Sequence, residues 1–212
     1  HYQSLKSLDV GYDWKENNYG YQLQNVGFIT KTGGNLYAHI FIKVGNQNRQ
    51  ITLKYDRIND KWVEIMDDTL YLKILNKPKA IAENKGKVYI GTEIFQPSFN
   101  QGYKRPNIFI YDTQTKELIS VVDTLSDLWK SYINCFLVKG DDIFIGTSTG
   151  VYKSTDEGLT WTRKSNGLHF KNEYYDYDYE IHKMFNAKGN LYAITKPPST
   201  YGDFNPSYST LV

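Results

Sequence analysis

Tyrosines alternate with acids along Tyr174-Tyr175-Asp176-Tyr177-Asp178-Tyr179-Glu180. A second aromatic run, Phe95-Gln96-Pro97-Ser98-Phe99-Asn100-Gln101-Gly102-Tyr103-Lys104-Arg105, mixes rings with amides and two cations, and Tyr201-Gly202-Asp203-Phe204-Asn205 repeats the flavour. Flat rings beside amide and acid groups suit sugars, because the ring face stacks on C–H groups while polar neighbours read hydroxyls. Tyr-rich surfaces suit protein partners equally. The candidate ligand-binding residues are therefore Phe95, Phe99, Tyr103, Arg105, Tyr175, Tyr177, Tyr201, Asp203 and Phe204. In the competing reading these segments pack on one another and only cover a scaffold.

Other chemistries are weaker. Asp176, Asp178 and Glu180 are hard oxygen donors of the kind calcium takes, but they lack the glycine-centred spacing of an EF-hand loop. His1, His39, His169 and His182 show no metal-ligand spacing. No metal or cofactor is expected. Glycoside hydrolysis needs two opposed carboxylates; Asp176, Asp178, Asp203 and Glu93 supply acids, but no spacing pairs them. Phosphate-binding loops, nucleophile elbows and dinucleotide fingerprints do not occur. Cys135 is the one cysteine and lies in an apolar run over 133–138, which predicts a packed thiol and permits no internal disulfide. No catalytic residue is expected.

These segments need a frame, and the frame is a repeat. Asn35-Leu36-Tyr37-Ala38, Lys87-Val88-Tyr89-Ile90, Asp142-Ile143-Phe144-Ile145 and Asn190-Leu191-Tyr192-Ala193 share one pattern, at spacings of 52, 55 and 48 residues. Each follows a glycine (Gly34, Gly86, Gly140, Gly189) and, before that, a short apolar run. The pattern predicts strand, tight turn, strand. Third and fourth strands are expected at 51–55 and 61–65, 107–111 and 117–122, and 150–153 and 160–163, with one helical turn at most over 125–132. Four short strands per unit of about 50 residues is the period of a propeller blade. The reading is one all-β propeller domain over 1–212, with blade units near 1–17 (partial), 24–66, 72–123, 131–165 and 181–212 (partial). Longer connections at 44–50, 95–106, 166–180 and 197–208 would share one face, where a rigid scaffold can present them for binding.

Ser154-Thr155-Asp156-Glu157-Gly158-Leu159-Thr160-Trp161 fits S-x-D-x-G-x-T-W in full. Ser7-Leu8-Asp9-Val10-Gly11-Tyr12-Asp13-Trp14 keeps Ser, Asp, Gly and Trp, with Asp13 in place of Thr. Looser versions begin at Tyr55-Asp56 and Tyr111-Asp112. Here the chain resembles the Asp-box, or bacterial neuraminidase repeat, propellers, which include sialidases and sortilin-like receptors. In that family the box lies on the outer hairpin, away from the ligand face. The resemblance thus implies a structural role for Ser7, Asp9, Gly11, Trp14, Ser154, Asp156, Gly158 and Trp161. It also implies, for a sialidase, three arginines clamping a carboxylate, a Tyr–Glu pair and an acidic Asp. The four arginines (Arg49, Arg57, Arg105, Arg163) fit this poorly. Tyr103-Lys104-Arg105-Pro106 departs from the family's F/Y-R-I-P by an insertion and a missing Ile, and it follows the first box rather than preceding it. Six blades would also be needed.

In this register the chain opens on a third strand and closes on a first, a second and the start of a third. Either the ends complete one composite blade and close a four-bladed ring, which hides sheet edges, or the chain is part of a larger ring or half of a two-chain one. An opening His1 fits a removed signal peptide or a trimmed boundary. The charge balance, 25 basic against 23 acidic residues, offers no field for nucleic acid. No run reaches the length of a transmembrane helix, so no membrane insertion is expected. Aromatic usage is high, with 19 Tyr, 10 Phe and 4 Trp, as suits pleated, half-buried surfaces. The expectation is a non-catalytic, extracytoplasmic propeller that binds a glycan or protein partner, with self-association or a larger assembly open. The alternatives are a sialidase-like hydrolase and a scaffold subunit of a surface assembly.

Overall fold

Glycine-centred turns of two residues set the strand boundaries. Gly33-Gly34, Lys85-Gly86 and Lys188-Gly189 hold positive φ at both centres, the backbone of the type I′ turn, whose twist matches the strands it joins. At Gly45 and Gly140 only the first centre is left-handed, as in type II′ turns. The computed structural model describes residues 4–7, 14–17, 22–66, 74, 77–93, 106–121, 128–171 and 176–196. The fold is all-β and propeller-like, built of antiparallel four-stranded blades in up-and-down order. The chain divides into two compact units, His1–Leu75 and Asn76–Val212.

In the first unit a hairpin of β1 (Ser4–Ser7) and β2 (Trp14–Asn17) precedes one blade. That blade has β3 (Gln22–Thr32), β4 (Asn35–Val44), β5 (Gln47–Asp56) and β6 (Lys61–Glu64), paired in chain order. Alternation puts Ala38, Ile40, Ile42, Ile51 and Leu53 on one face, with Trp62 against them. On the other face Phe28 stacks on His39 at 5.4 Å and Phe41 meets the same ring edge-on at 5.3 Å. His39 and Thr52 are fully buried and hydrogen-bonded to each other at 3.3 Å. The expected connection over 44–50 is not a loop. Val44 pairs with Gln47 and Lys43 with Asn48, so β4 and β5 run on to a turn at Gly45-Asn46. Polar residues such as Asn48 and Gln50 read as loop, yet Gly45 supplies a hairpin turn that extends the ladder through them.

The second unit holds two full blades and two hairpins. The first blade comprises β7 (Pro78–Asn84), β8 (Lys87–Thr92), β9 (Ile108–Asp112) and β10 (Leu118–Val121). The second comprises β11 (Ile133–Lys139), β12 (Asp142–Thr147), β13 (Gly150–Ser154) and β14 (Thr162–Arg163). A 3-10 turn at Leu128–Lys130 lies inside the expected 125–132. The hairpins are β15 (His169–Lys171) with β16 (Asp176–Asp178), and β17 (Glu180–Ala187) with β18 (Asn190–Lys196). The expected loop over 166–180 thus contains β15 and β16. The first strands lie side by side, β7 next to β11 and β11 next to β17.

Strands β8 and β9 are buried on both faces, as are most residues of β12 and β13. One core cluster joins the two blades through Ala82, Tyr89, Ile110, Ile133, Ile145, Tyr152 and Trp161. A second joins β13 to β17 and β18 through Val151, Ile181, Met184 and Ala193, with Phe144 of β12 packed against it. Two glycines let neighbouring sheets close to this distance. A Cβ on Gly91 would lie 2.2 Å from Ile133 Cγ2, and one on Gly146 would lie 2.6 Å from both Ile181 Cγ2 and Cys135 Sγ. Both glycines occupy the same place in their second strand, and each receives an isoleucine from the first strand of the next sheet.

Candidate functional site

The strand ends of each blade carry two kinds of chemistry. At one end lie the third-to-fourth strand hairpins, and each begins with an aspartate that accepts hydrogen bonds from the turn it opens. Asp56 Oδ1 accepts from the amides of Ile58 (3.0 Å) and Asn59 (3.2 Å), and Oδ2 from Asn59 Nδ2 (2.7 Å). Asp112 Oδ1 accepts from the amides of Gln114 (2.8 Å) and Thr115 (3.0 Å). Asp156 accepts from the Thr160 amide (2.9 Å), the Thr160 hydroxyl (2.6 Å) and the Ser154 hydroxyl (2.8 Å). The Asn59 side chain holds the Asp56 carboxyl below its ordinary value, and the Thr115 amide does the same for Asp112. For Asp156 burial pushes upward, but the Thr160 and Ser154 bonds together outweigh it and the net direction is down.

The Asp156 hairpin is also tied to the preceding blade. Trp161 is buried and donates from Nε1 to Gly158 O at 3.0 Å. Gly158 sits at φ 89°, donates from its amide to Ser154 Oγ at 2.8 Å, and lies so close to Tyr89 that a Cβ would be 2.9 Å from its ring. Glu157 pairs with Lys87, and Lys85 with Asp141 at 2.5 Å. Every one of these groups is engaged in holding hairpins closed and blades together.

The other end carries the second-to-third strand connections and those between blades. Asn107 is buried and donates from Nδ2 to the carbonyls of Leu128 (2.7 Å) and Ser131 (2.9 Å), so it holds the turn that leads into β11. The β12–β13 connection is only Ser148-Thr149, because Thr147 pairs with Gly150. Around it gathers a hydroxyl network. Ser131 Oγ and Thr149 Oγ1 share a hydrogen bond, Thr147 Oγ1 donates to Gly150 O at 2.9 Å, and Thr149 Oγ1 lies 3.4 Å from Tyr152 OH. The Tyr132 amide donates to Ser148 Oγ at 3.1 Å, and the Val151 amide to Ser165 Oγ at 3.0 Å. Arg163 donates to the Thr149 carbonyl at 3.4 Å and pairs with the Asp178 carboxylate. The Asp178 side chain is 7% exposed and that of Arg163 53%, so the acid is the floor and the guanidinium the surface of this pair.

Of the expected ligand-binding residues, Phe95, Phe99, Tyr103, Arg105, Tyr175, Tyr201, Asp203 and Phe204 lie outside the described residues. Tyr177 lies in β16 opposite Phe170. Of the expected Asp-box positions, Ser7 and Trp14 are paired partners in the β1–β2 hairpin, Asp9 and Gly11 lie outside the described residues, and the second set is the hairpin described above. Three of the acids weighed for catalysis or metal binding have partners of their own. Glu93 pairs with Lys79, Asp178 with Arg163, and Glu180 accepts from Asn134 Nδ2 at 3.1 Å. No cluster of three metal-ligating side chains occurs among the described residues. Burial pushes the Cys135 thiol up to about 12, which leaves it protonated at neutral pH and a poor nucleophile.

Sequence reasoning did not single out Ser131, Tyr132, Ser148 or Thr149. The signal was the run Gly146-Thr147-Ser148-Thr149-Gly150, small hydroxyl residues between two glycines, which forms a two-residue turn.

No family model matches the chain, and no curated protein matches it. Among solved structures it is similar to the extracellular domain of a proposed one-component system from B. thetaiotaomicron. The TM-score is 0.49 and the identity 11%, over 92% of this chain and 27% of that one. A likeness at this level assigns neither an activity nor a ligand.

Proposed function

We propose that this chain is a non-catalytic propeller of the Asp-box type that works outside the cytoplasm and binds a glycan through the connections at the second-to-third strand end of its blades. The observation that carries the reading is the division of labour between blade ends. The Asp56, Asp112 and Asp156 carboxylates are each consumed in closing a hairpin. The opposite end presents a hydroxyl network, an exposed Tyr132 and an exposed Arg163. It is also the end from which the aromatic-rich segments at 95–106 and 197–208 depart. The paired state of Glu93 and Asp178 supports binding over hydrolysis, since glycoside cleavage needs an acid and a base left available to the substrate. The extracytoplasmic location rests on the Asp-box resemblance.

A glycan-array screen of the purified chain, with a Tyr103→Ala/Tyr201→Ala double variant alongside, tests this. Binding to a defined sugar class that the double variant loses is the expected result. A folded sample that binds no glycan overturns the sugar reading and directs the search to a protein partner by pull-down. Release of sugar from a bound oligosaccharide overturns the non-catalytic one.

A further inference from the structure

The two-residue turn at Ser148-Thr149 is much shorter than its neighbours at the same end. The connection from β8 to β9 runs from Thr92 to Ile108, and that from β14 to β17 contains a whole hairpin. Two exposed side chains are anchored to this turn. Tyr132, 38% exposed, has its amide on Ser148 Oγ and its carbonyl on the Ser148 amide. Arg163 reaches the Thr149 carbonyl from the other side.

We infer that the Ser148-Thr149 turn, with Tyr132 and Arg163 flanking it, is a subsite for a neutral sugar ring; the inference rests on the proposal that this end binds a glycan. Tyr132 supplies an apolar ring face for sugar C–H groups. Arg163 has five N–H donors in a fixed fork, and the Thr149 carbonyl and Asp178 occupy only part of it. The remaining donors suit ring and hydroxyl oxygens. The charge argument selects the class. The Asp178 carboxylate already pairs with the Arg163 guanidinium, so an acidic sugar would have to compete with Asp178 for it, while a neutral one would not. The rigidity of the turn, which the Ser131–Thr149 and Thr147–Gly150 bonds fix, means that little conformational freedom is lost on binding.

The test is a panel of neutral hexose oligosaccharides beside sialylated and uronic-acid-bearing ones, read by array and then by titration with the tightest neutral oligomer. The proteins are the parent chain, Tyr132→Ala, Tyr132→Phe, Arg163→Lys and the Tyr103→Ala/Tyr201→Ala double variant. Thermal melting checks that each is folded. Expected are a loss of at least tenfold in affinity for Tyr132→Ala and near-parent binding for Tyr132→Phe. A loss of at least threefold is expected for Arg163→Lys, which keeps the charge but removes the planar fork. Neutral-glycan binding that Tyr132→Ala leaves intact overturns this subsite while the glycan proposal stands. Binding confined to acidic glycans overturns the neutral class. A folded chain that binds none overturns both.

Discussion

Single residues divide sharply by what their surroundings allow. Gly158 has a left-handed φ of 89° and no room for a methyl group, because the ring of Tyr89 is 2.9 Å from where a Cβ would stand and is itself buried. Gly158→Ala therefore meets both backbone strain and a clash that cannot relax outward. A destabilisation of roughly 2–4 kcal/mol is expected, measured by urea titration against Gly167→Ala. Gly167 also has a positive φ, 83°, but nothing stands near its Cβ position, so a similar loss in both variants would show that the clash adds nothing. Cys135 shows the opposite kind of restriction. Its thiol is pushed up to about 12 by burial, so it should react with Ellman's reagent at pH 8 only after denaturant is added. Stoichiometric release of the coloured thiolate from the folded chain would contradict this.

At the scale of the element, the three aspartate-led hairpins make one prediction together. Asp56, Asp112 and Asp156 all have carboxyl groups held below their ordinary value. A depressed folded-state value means that the unfolded chain binds the proton first, so the stabilisation is complete above the unfolded value of 3.8 and is lost as pH falls through the folded one. The melting temperature should be level from pH 7 to about 5 and fall below about 4. Asp156→Asn should be less stable than the parent at pH 7 and show a shallower acid decline; parallel pH profiles would mean that Asp156 contributes nothing to acid sensitivity. These hairpins were legible in the sequence because their chemistry is local, an acid followed within four residues by the amides it accepts from. The first-to-second strand turns were legible for the same reason, as Gly86 and Gly189 show. The β4–β5 ladder through Asn48 and the Arg163–Asp178 pair were not. The first depends on a turn that converts polar residues into strand, and the second joins side chains from β14 and β16 that only the packing of sheets brings together. The Ser131–Thr149 network was hidden likewise, since hydroxyl residues in isolation carry no chemical signature.

For the molecule as a whole, the decisive feature is how the 76–212 unit transmits stability from sheet to sheet. Gly91 accepts Ile133 and Gly146 accepts Ile181, so each sheet is seated on the next by a side chain from its first strand. Ile133 and Ile181 are both fully buried. Removing such a side chain leaves a cavity between two sheets rather than within one, and Ile→Ala changes in cores cost about 2–5 kcal/mol. Ile133→Ala should therefore speed amide hydrogen exchange in β8 of the preceding blade as well as in β12 of its own. Ile181→Ala should do so in β12 and β18. Strands β8 and β12 are buried on both faces and so should hold the slowest amides of the unit in the parent chain. If Ile133→Ala loosened β12 and left β8 at parent rates, the two blades would be separate cooperative blocks that merely touch. If both respond, the shared core of Tyr89, Ile110, Ile133 and Trp161 unfolds as one, and the loop end of the blades inherits its rigidity from packing between sheets, not from the loops themselves.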